Sequence, residues 1–323
     1  MSKVYAVVSR PGPVEADILD ELGSGVPPFE VKRRGAAGVA LRILQGGSGP
    51  PLVLLHGRGH AASSWLPLLP ALARTHRVIA VDLPGFGHSA WPPFPARAPE
   101  DITEGSTGSC TPGEAPEDAR GDVEEALRFF VEPVEALLCD LGLDEAPLVG
   151  HSLGGFCALE IALRRRARPR WLGLLAPMGL GPEMSALGRA YFLLGPERAA
   201  GRAASALFSL AGARAASPTA RRLDALHAEL AAVSDGRRDA ARAFRVLAPA
   251  LGPVPHRRER LQEIDAEVVL LWGEHDALLP APLGIAAAAM LPRATLHVMR
   301  RGHAPHHEAP DEVLQRLAPM LAR

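Results

Sequence analysis

Ser152 stands at the centre of Gly150-His151-Ser152-Leu153-Gly154, and this spacing is what a nucleophilic serine requires. A serine hydroxyl is a weak nucleophile at neutral pH, so it must be presented on a rigid turn with a base on one side and substrate on the other. Glycines two residues to either side remove the Cβ atoms that would collide as the backbone reverses. The same turn sets Leu153 at the start of a helix, with its N–H facing the space where an oxyanion would develop. A pentapeptide of this kind arises easily by chance in a chain with 32 glycines, so its context decides. Pro147-Leu148-Val149 reads as a short buried strand and Phe156 to Leu163 as an apolar helix, the strand-turn-helix setting that the motif needs. The blander reading is a glycine-rich helix start with an ordinary serine at its N-terminus.

Such a serine needs a histidine base and a carboxylate that holds the imidazole in one tautomer, and in open α/β sheets these groups sit where strands end. Asp276, in Trp272-Gly273-Glu274-His275-Asp276, follows one apolar run, and His303, in Arg301-Gly302-His303, follows the next. Asp265 is a fallback acid, disfavoured because it precedes a strand.

The elements that must position these residues are legible as runs of apolar residues. Pro51 to Gly57, Arg77 to Asp82 and Arg170 to Ala176 read as buried strands, Ala266 to Trp272 and Thr295 to Met299 as further strands of the sheet, and Val39 to Leu44 as an earlier, partly exposed one. Helical patterns lie between them at Ala61 to Arg74, Asp122 to Leu141, Pro282 to Leu291 and Pro310 to Leu321. This alternation implies a mostly parallel sheet flanked by helices. Residues 1–35, including the run Val4 to Val8, read as an N-terminal extension. Residues 36–177 read as the first part of the core, with a loop insertion at 84–119. In that loop Trp91 and Phe94 either line a pocket or pack the loop onto the body. From 178 to 260 the strand signal vanishes, and the stretch reads as a helical cap, with the second part of the core at 261–323.

Five segments in this order resemble the α/β-hydrolase superfamily, in its cap-bearing, single-domain esterase and epoxide-hydrolase-like branch. They are Leu54-Leu55-His56-Gly57, Asp82-Leu83-Pro84-Gly85-Phe86-Gly87-His88-Ser89, the turn around Ser152, Trp272 to Asp276 with Pro280, and Gly302-His303 with Glu308 and Pro310. The resemblance covers residues 38 to 320. It implies an α/β-hydrolase fold and a cofactor-independent serine hydrolase with catalytic Ser152, Asp276 and His303. Backbone N–H groups of Leu153 and Arg58 would form the oxyanion hole, an arginine standing where a small or aromatic residue is usual. A serine in place of an aspartate nucleophile disfavours epoxide opening and dehalogenation. The expected substrate is a small to medium, largely apolar carboxylic ester. Carbon–carbon bond hydrolysis, thioester or lactone cleavage, acyl transfer to another acceptor and a non-catalytic binding role remain open. Met178, Leu180, Leu187, Tyr191, Phe192, Leu193 and Leu194 at the start of the cap motivate the apolar preference, and Met178, Tyr191 and Phe192 join His60, His88, Trp91, Phe94 and His151 as pocket candidates.

The 323 residues carry 35 basic groups against 36 acidic ones, and this near neutrality points away from a nucleic-acid partner. Cys110, Cys139 and Cys157 are too scattered for a disulfide framework, which with the absence of a membrane-length apolar run reads as a cytoplasmic protein with a small-molecule substrate and no membrane partner. Monomer and homodimer stay open. His56 and His151 read as packing or hydrogen-bonding near the site, His60 and His88 as nearer its mouth, and His275, His306 and His307 as solvated or capping. His306-His307 lacks a third metal ligand at suitable spacing, so no metal is expected, and Cys157 reads as an inert core residue.

Overall fold

Side chains alternate between the two faces of a strand, and here both faces are apolar. Leu52, Leu54, Val78, Ala80, Val149, Val269 and Leu271 enter one core, while Val53, Leu55, Ile79, Val81, Leu148, Val268 and Leu270 enter the other. Helices therefore have to cover the sheet on both sides.

The computed structural model describes residues 10–94, 117–194, 218–234, 238–249 and 252–323. In order the elements are α1 (Pro13–Ser24), β1 (Phe29–Ala36), β2 (Val39–Gly46), β3 (Pro51–Leu55), α2 (Leu69–Ala73), β4 (Arg77–Val81), α3 (Glu117–Asp140), β5 (Leu148–His151), α4 (Leu153–Arg164) and β6 (Trp171–Leu175). There follow α5 (Ala186–Leu194), α6 (Pro218–Ser234), α7 (Arg238–Leu247), β7 (Glu267–Gly273), α8 (Pro282–Met290), β8 (Ala294–Met299), α9 (Pro305–Glu308) and α10 (Pro310–Leu321). Short 3-10 turns occupy Ala62–Trp65 and Arg258–Glu263. The eight strands form one sheet in the order β1-β2-β4-β3-β5-β6-β7-β8, antiparallel at β1-β2 and β2-β4 and parallel from there on. This is the α/β-hydrolase fold. Among the described residues no helix is long and apolar enough to cross a membrane.

Three segments differ from the sequence expectation. The strand at Val39 is almost wholly buried, because β1 pairs along its outer edge and both its faces are covered. The helix expected over Ala61 to Arg74 is a 3-10 turn followed by the short α2. Within the 1–35 extension, residues from 13 onward form α1 and the edge strand β1, whereas the run Val4 to Val8 lies outside the described residues, as do 95–116 of the loop insertion, 195–217 of the helical stretch and Cys110.

The helices between β6 and β7 dock on different sides. On α6, Leu223, Leu226 and Leu230 share a core with Ile18 and Leu22 of α1. The Glu229 carboxylate accepts the N–H groups of Val14 and Glu15, each at 2.9 Å, and so satisfies the first turn of α1 with an anion at its positive end. Ala240, Ala243, Phe244 and Leu247 of α7 join the opposite core with Phe129 and Phe130 of α3.

One buried charge network ties α1 to the sheet. Arg42 of β2 donates from Nε to Asp82 at 2.6 Å and from Nη2 to Glu15 at 2.6 Å, while Ser63 and His88 also donate to Glu15. Asp82 further accepts the N–H groups of Ala62 (2.7 Å) and His88 (2.6 Å). Burial alone would push the Glu15 carboxyl up, but the His88 hydrogen bond and the Arg42 charge outweigh it and hold the group at about 2, below its ordinary 4.5. The depressed carboxylate adds stability that is complete above pH 4.5 and disappears as pH falls through about 2. Glu15→Gln, which removes a buried anion from beside Arg42, should cost about 3 to 5 kcal/mol in urea unfolding at pH 7. Its acid-induced loss of stability should also be shallower than that of the wild type below pH 4.5. Equal stability at pH 7 would show that the network holds α1 without Glu15.

Candidate active site

Ser152 is the hinge between β5 and α4. Its backbone has φ +51° and ψ −113°, a region that a residue with a side chain occupies only when its surroundings enforce it. The enforcing contacts are specific. The Ser152 N–H donates to the Leu175 carbonyl at 3.0 Å, and the Ser152 carbonyl accepts from Phe156 (3.0 Å) and Met178 (3.1 Å). The flanking glycines are obligatory, since a Cβ on Gly150 would lie 2.4 Å from the Gly154 carbonyl oxygen and one on Gly154 only 2.1 Å from that of Leu55.

Asp276 and His303 come to the same edge of the sheet, beyond the ends of β7 and β8. His303 Nδ1 lies 2.7 Å from Asp276 Oδ2, and its Nε2 lies 3.1 Å from Ser152 Oγ. A carboxylate only accepts, so Nδ1 carries the proton, and Nε2 presents its lone pair to the serine hydroxyl. The second Asp276 oxygen accepts the N–H groups of Leu278 (2.8 Å) and Leu279 (2.9 Å), which fixes the carboxylate. Ser152 is only 8% exposed, while the His303 side chain keeps 19%, enough to meet a substrate. The arrangement can deprotonate a serine as it attacks a carbonyl. Asp265, by contrast, lies exposed against Arg165 at 3.4 Å.

The pocket candidates divide. Leu153 is the first residue of α4, and Arg58 lies in the turn after β3, its guanidinium 5.1 Å from the Phe244 ring and 6.0 Å from that of Phe192. Phe192 also packs on Phe244 and, edge to face, on Tyr191, so these aromatic residues join the helical stretch to the turn carrying Arg58. Met178 is buried in the core and reaches Ser152 through its backbone. Leu180 is buried in the same core as Met178, whereas Leu187 is exposed.

Several histidine and aromatic assignments are corrected. His88 is not at the mouth, because its ring is buried against Glu15. Trp91 donates to Asp239 at 3.1 Å and Phe94 packs edge to face on Phe129, so of the two readings for these residues the packing one holds. His151 is buried and donates from Nε2 to the His303 carbonyl at 3.0 Å, which positions His303 and leaves that nitrogen no role toward substrate. His60 lies in a stack of rings with His227 and His307 and not at an open mouth. Neither His306 nor His307 is a solvated cap. His306 is buried against Trp65, and His307 donates to the Ser64 carbonyl at 3.0 Å. Burial, reinforced by neighbouring rings, pushes His60, His151 and His306 well below the usual histidine value. His275 is exposed, and Cys157 is buried with its thiol pushed up by burial.

The sequence reading missed Glu15 and His227. Each had a signal. Glu15 shares the helical face of Ile18 and Leu22, and His227 that of Leu223 and Leu230, so helical period alone turns both inward.

Residues 52–316 match the profile of the Alpha/beta hydrolase family. The chain is similar to the dihydrolipoyllysine-residue acetyltransferase component of the acetoin cleaving system of Pseudomonas putida, 30% identical over 331 positions that span 100% of this chain and 77% of that protein. It is also similar to 2-hydroxymuconate semialdehyde hydrolase of Pseudomonas sp. (strain CF600), 31% identical over 45% of this chain and 42% of that protein. Naproxen esterase (carboxylesterase NP) from Bacillus subtilis superimposes with a TM-score of 0.71 at 19% identity, covering 97% of this chain and 99% of that one.

Beneath the site, His56 donates from Nδ1 to the Gly57 carbonyl at 2.7 Å and accepts the Leu83 N–H at Nε2, 2.9 Å away. Only the neutral tautomer satisfies both. Burial pushes the ring from 6.5 down to about 4, although Asp82 pulls the other way. The unfolded chain therefore binds the extra proton first, and this contribution to stability is complete above pH 6.5 and is lost as pH falls towards 4. His56→Gln keeps a donor and an acceptor without the titration. Across that window its unfolding free energy in urea should fall less steeply than the wild type's, by about 1.4 kcal/mol per pH unit. Parallel slopes would mean that His56 does not titrate on unfolding.

Proposed function

The chain belongs to the alpha/beta hydrolase family, and from that premise we propose that it is a serine hydrolase cleaving small to medium, largely apolar carboxylic esters. The observation that carries this reading is the one-directional hydrogen-bond chain from Asp276 through His303 to Ser152. As Ser152 Oγ attacks the acyl carbonyl, His303 Nε2 takes its proton, and Asp276 stabilises the imidazolium. The N–H groups of Leu153 and Arg58 hold the developing oxyanion. His303 then protonates the departing alcohol, leaving an acyl group on Ser152. Water attacks that acyl group, gives a proton to His303 and releases the acid as Oγ is reprotonated. The aromatic group of Phe192, Phe244 and Tyr191 beside Arg58 supports the apolar preference.

A second reading, acyl transfer from Ser152 to a bound alcohol, thiol or amine, is favoured by the Pseudomonas putida relative, whose name is that of an acetyltransferase and whose similarity runs the length of this chain. Added acceptors separate the two. A condensed product that grows with acceptor concentration at the expense of free acid supports transfer.

Intact mass after exposure to a fluorophosphonate should show one adduct on the wild type and none on Ser152→Ala. On short-chain p-nitrophenyl esters, Ser152→Ala should lower kcat on the order of a million-fold. Asp276→Asn, which keeps the shape but permits the wrong tautomer, should lower it about ten-thousand-fold. An adduct that persists on Ser152→Ala, or no adduct on either protein, would overturn the mechanism. A kcat/KM that does not rise with acyl length would overturn the apolar preference alone.

A further inference from the structure

Three histidines from distant parts of the chain converge beside the candidate active site. His60 follows β3 in the turn that carries Arg58, His227 is on α6, and His307 is on α9, four residues beyond His303. The His60 and His227 rings stack at 3.9 Å with planes 8° apart, and the His307 ring lies 5.4 and 5.3 Å from them. One nitrogen of each ring lies within 4.8 Å of those of the other two.

What these nitrogens bond to distinguishes the cluster from ordinary aromatic packing. Nδ1 of His60 and Nε2 of His227 are buried and have no hydrogen-bond partner among the described residues. Buried polar atoms are ordinarily satisfied, so two orphans in contacting rings call for a common partner. His307 donates from Nε2 to the Ser64 carbonyl, which fixes its tautomer and leaves the Nδ1 lone pair for a ligand. A metal-bound histidine is typically anchored by such a hydrogen bond to a backbone carbonyl.

We propose that His60, His227 and His307 form a site for a zinc-class divalent cation that ties α6 to the two turns carrying Arg58 and His303. Three imidazoles without a thiolate or carboxylate suit zinc and its late first-row neighbours, with water or a small anion as fourth ligand. Bonds of about 2.0 to 2.1 Å would set the nitrogens roughly 3.4 Å apart, within reach of ring rotations from the observed separations. The cation would couple the helical insertion to the catalytic edge without entering the ester chemistry. The site is therefore independent of the function proposed above.

The test is metal analysis of the full chain after zinc loading and exhaustive dialysis. The wild type should retain about one zinc per chain. His227→Ala and His60→Ala should bind it at least about tenfold more weakly, whereas His303→Ala should retain it. Zinc should raise the melting temperature of the wild type and leave that of His227→Ala unchanged. Retention that is equal in wild type and His227→Ala, or absent from wild type, would overturn the site, and loss in His303→Ala would place the metal on the catalytic histidine instead. Should the alanine variants fail to fold, the cobalt(II)-loaded wild type decides. Intense tetrahedral d–d bands support the site, and weak octahedral bands overturn it.

Discussion

A serine at φ +51° is the constraint around which this molecule is built. Such a conformation costs about 1 to 3 kcal/mol and persists only where the surroundings leave no alternative. Here the alternatives are removed from three directions. β5 is held between β3 and β6, α4 begins immediately after the serine, and the Leu175 and Met178 backbones bond to Ser152 from the next crossover. The tolerance is narrow because Gly154 passes against the Leu55 and His56 carbonyls, so β3, β5 and α4 approach one another as closely as backbone allows. The core on both sides of the sheet is thus also what aims Oγ at His303.

The two other members of the chain from Asp276 to Ser152 are fixed less stiffly, and by different means. Asp276 is locked by two backbone N–H groups, whereas His303 is steered through its own carbonyl by His151, the residue before the serine. One segment thereby sets both Ser152 and His303. Further out, the network of Glu15, Arg42, Asp82 and His88 ties α1 to the loop after β4, and Glu229 ties α6 to α1. The N-terminal segment thereby braces α6.

The parallel core was legible in the sequence for a simple reason. A strand buried on both faces reads as an unbroken apolar run, and β3, β4, β6 and β7 do. The residues just beyond the ends of neighbouring parallel strands lie at one edge of the sheet, which is why Ser152, Asp276 and His303 could be named together before any geometry, although β8 before His303 is itself only partly buried. β1 was illegible for the converse reason. Lys32, Arg33 and Arg34 lie on an edge strand whose pairing depends on backbone, and its exposed faces carry no apolar period. Glu15 and Arg42 were illegible as a pair because a buried ion pair is defined by tertiary approach, and nothing local announces which acid will meet which base.

The histidines show the same limit more sharply. In sequence His303, His306 and His307 are near neighbours, yet they meet three different environments. His303 keeps part of its ring in solvent beside a carboxylate, His306 is sealed against Trp65, and His307 turns its Nε2 to a carbonyl of the turn after β3. Burial penalises the protonated ring, and among the described residues nothing opposite in charge repays it for His306 and His307, so both are held well below the usual histidine value. At His303 a carboxylate, that of Asp276, faces Nδ1. A base must accept a proton and then lose it, and of these three histidines His303 is the one that combines a carboxylate contact with access to solvent, as the proposed mechanism requires. The neutral rings around it have lone pairs and hydrogen bonds to offer, and those suit positioning and metal ligation.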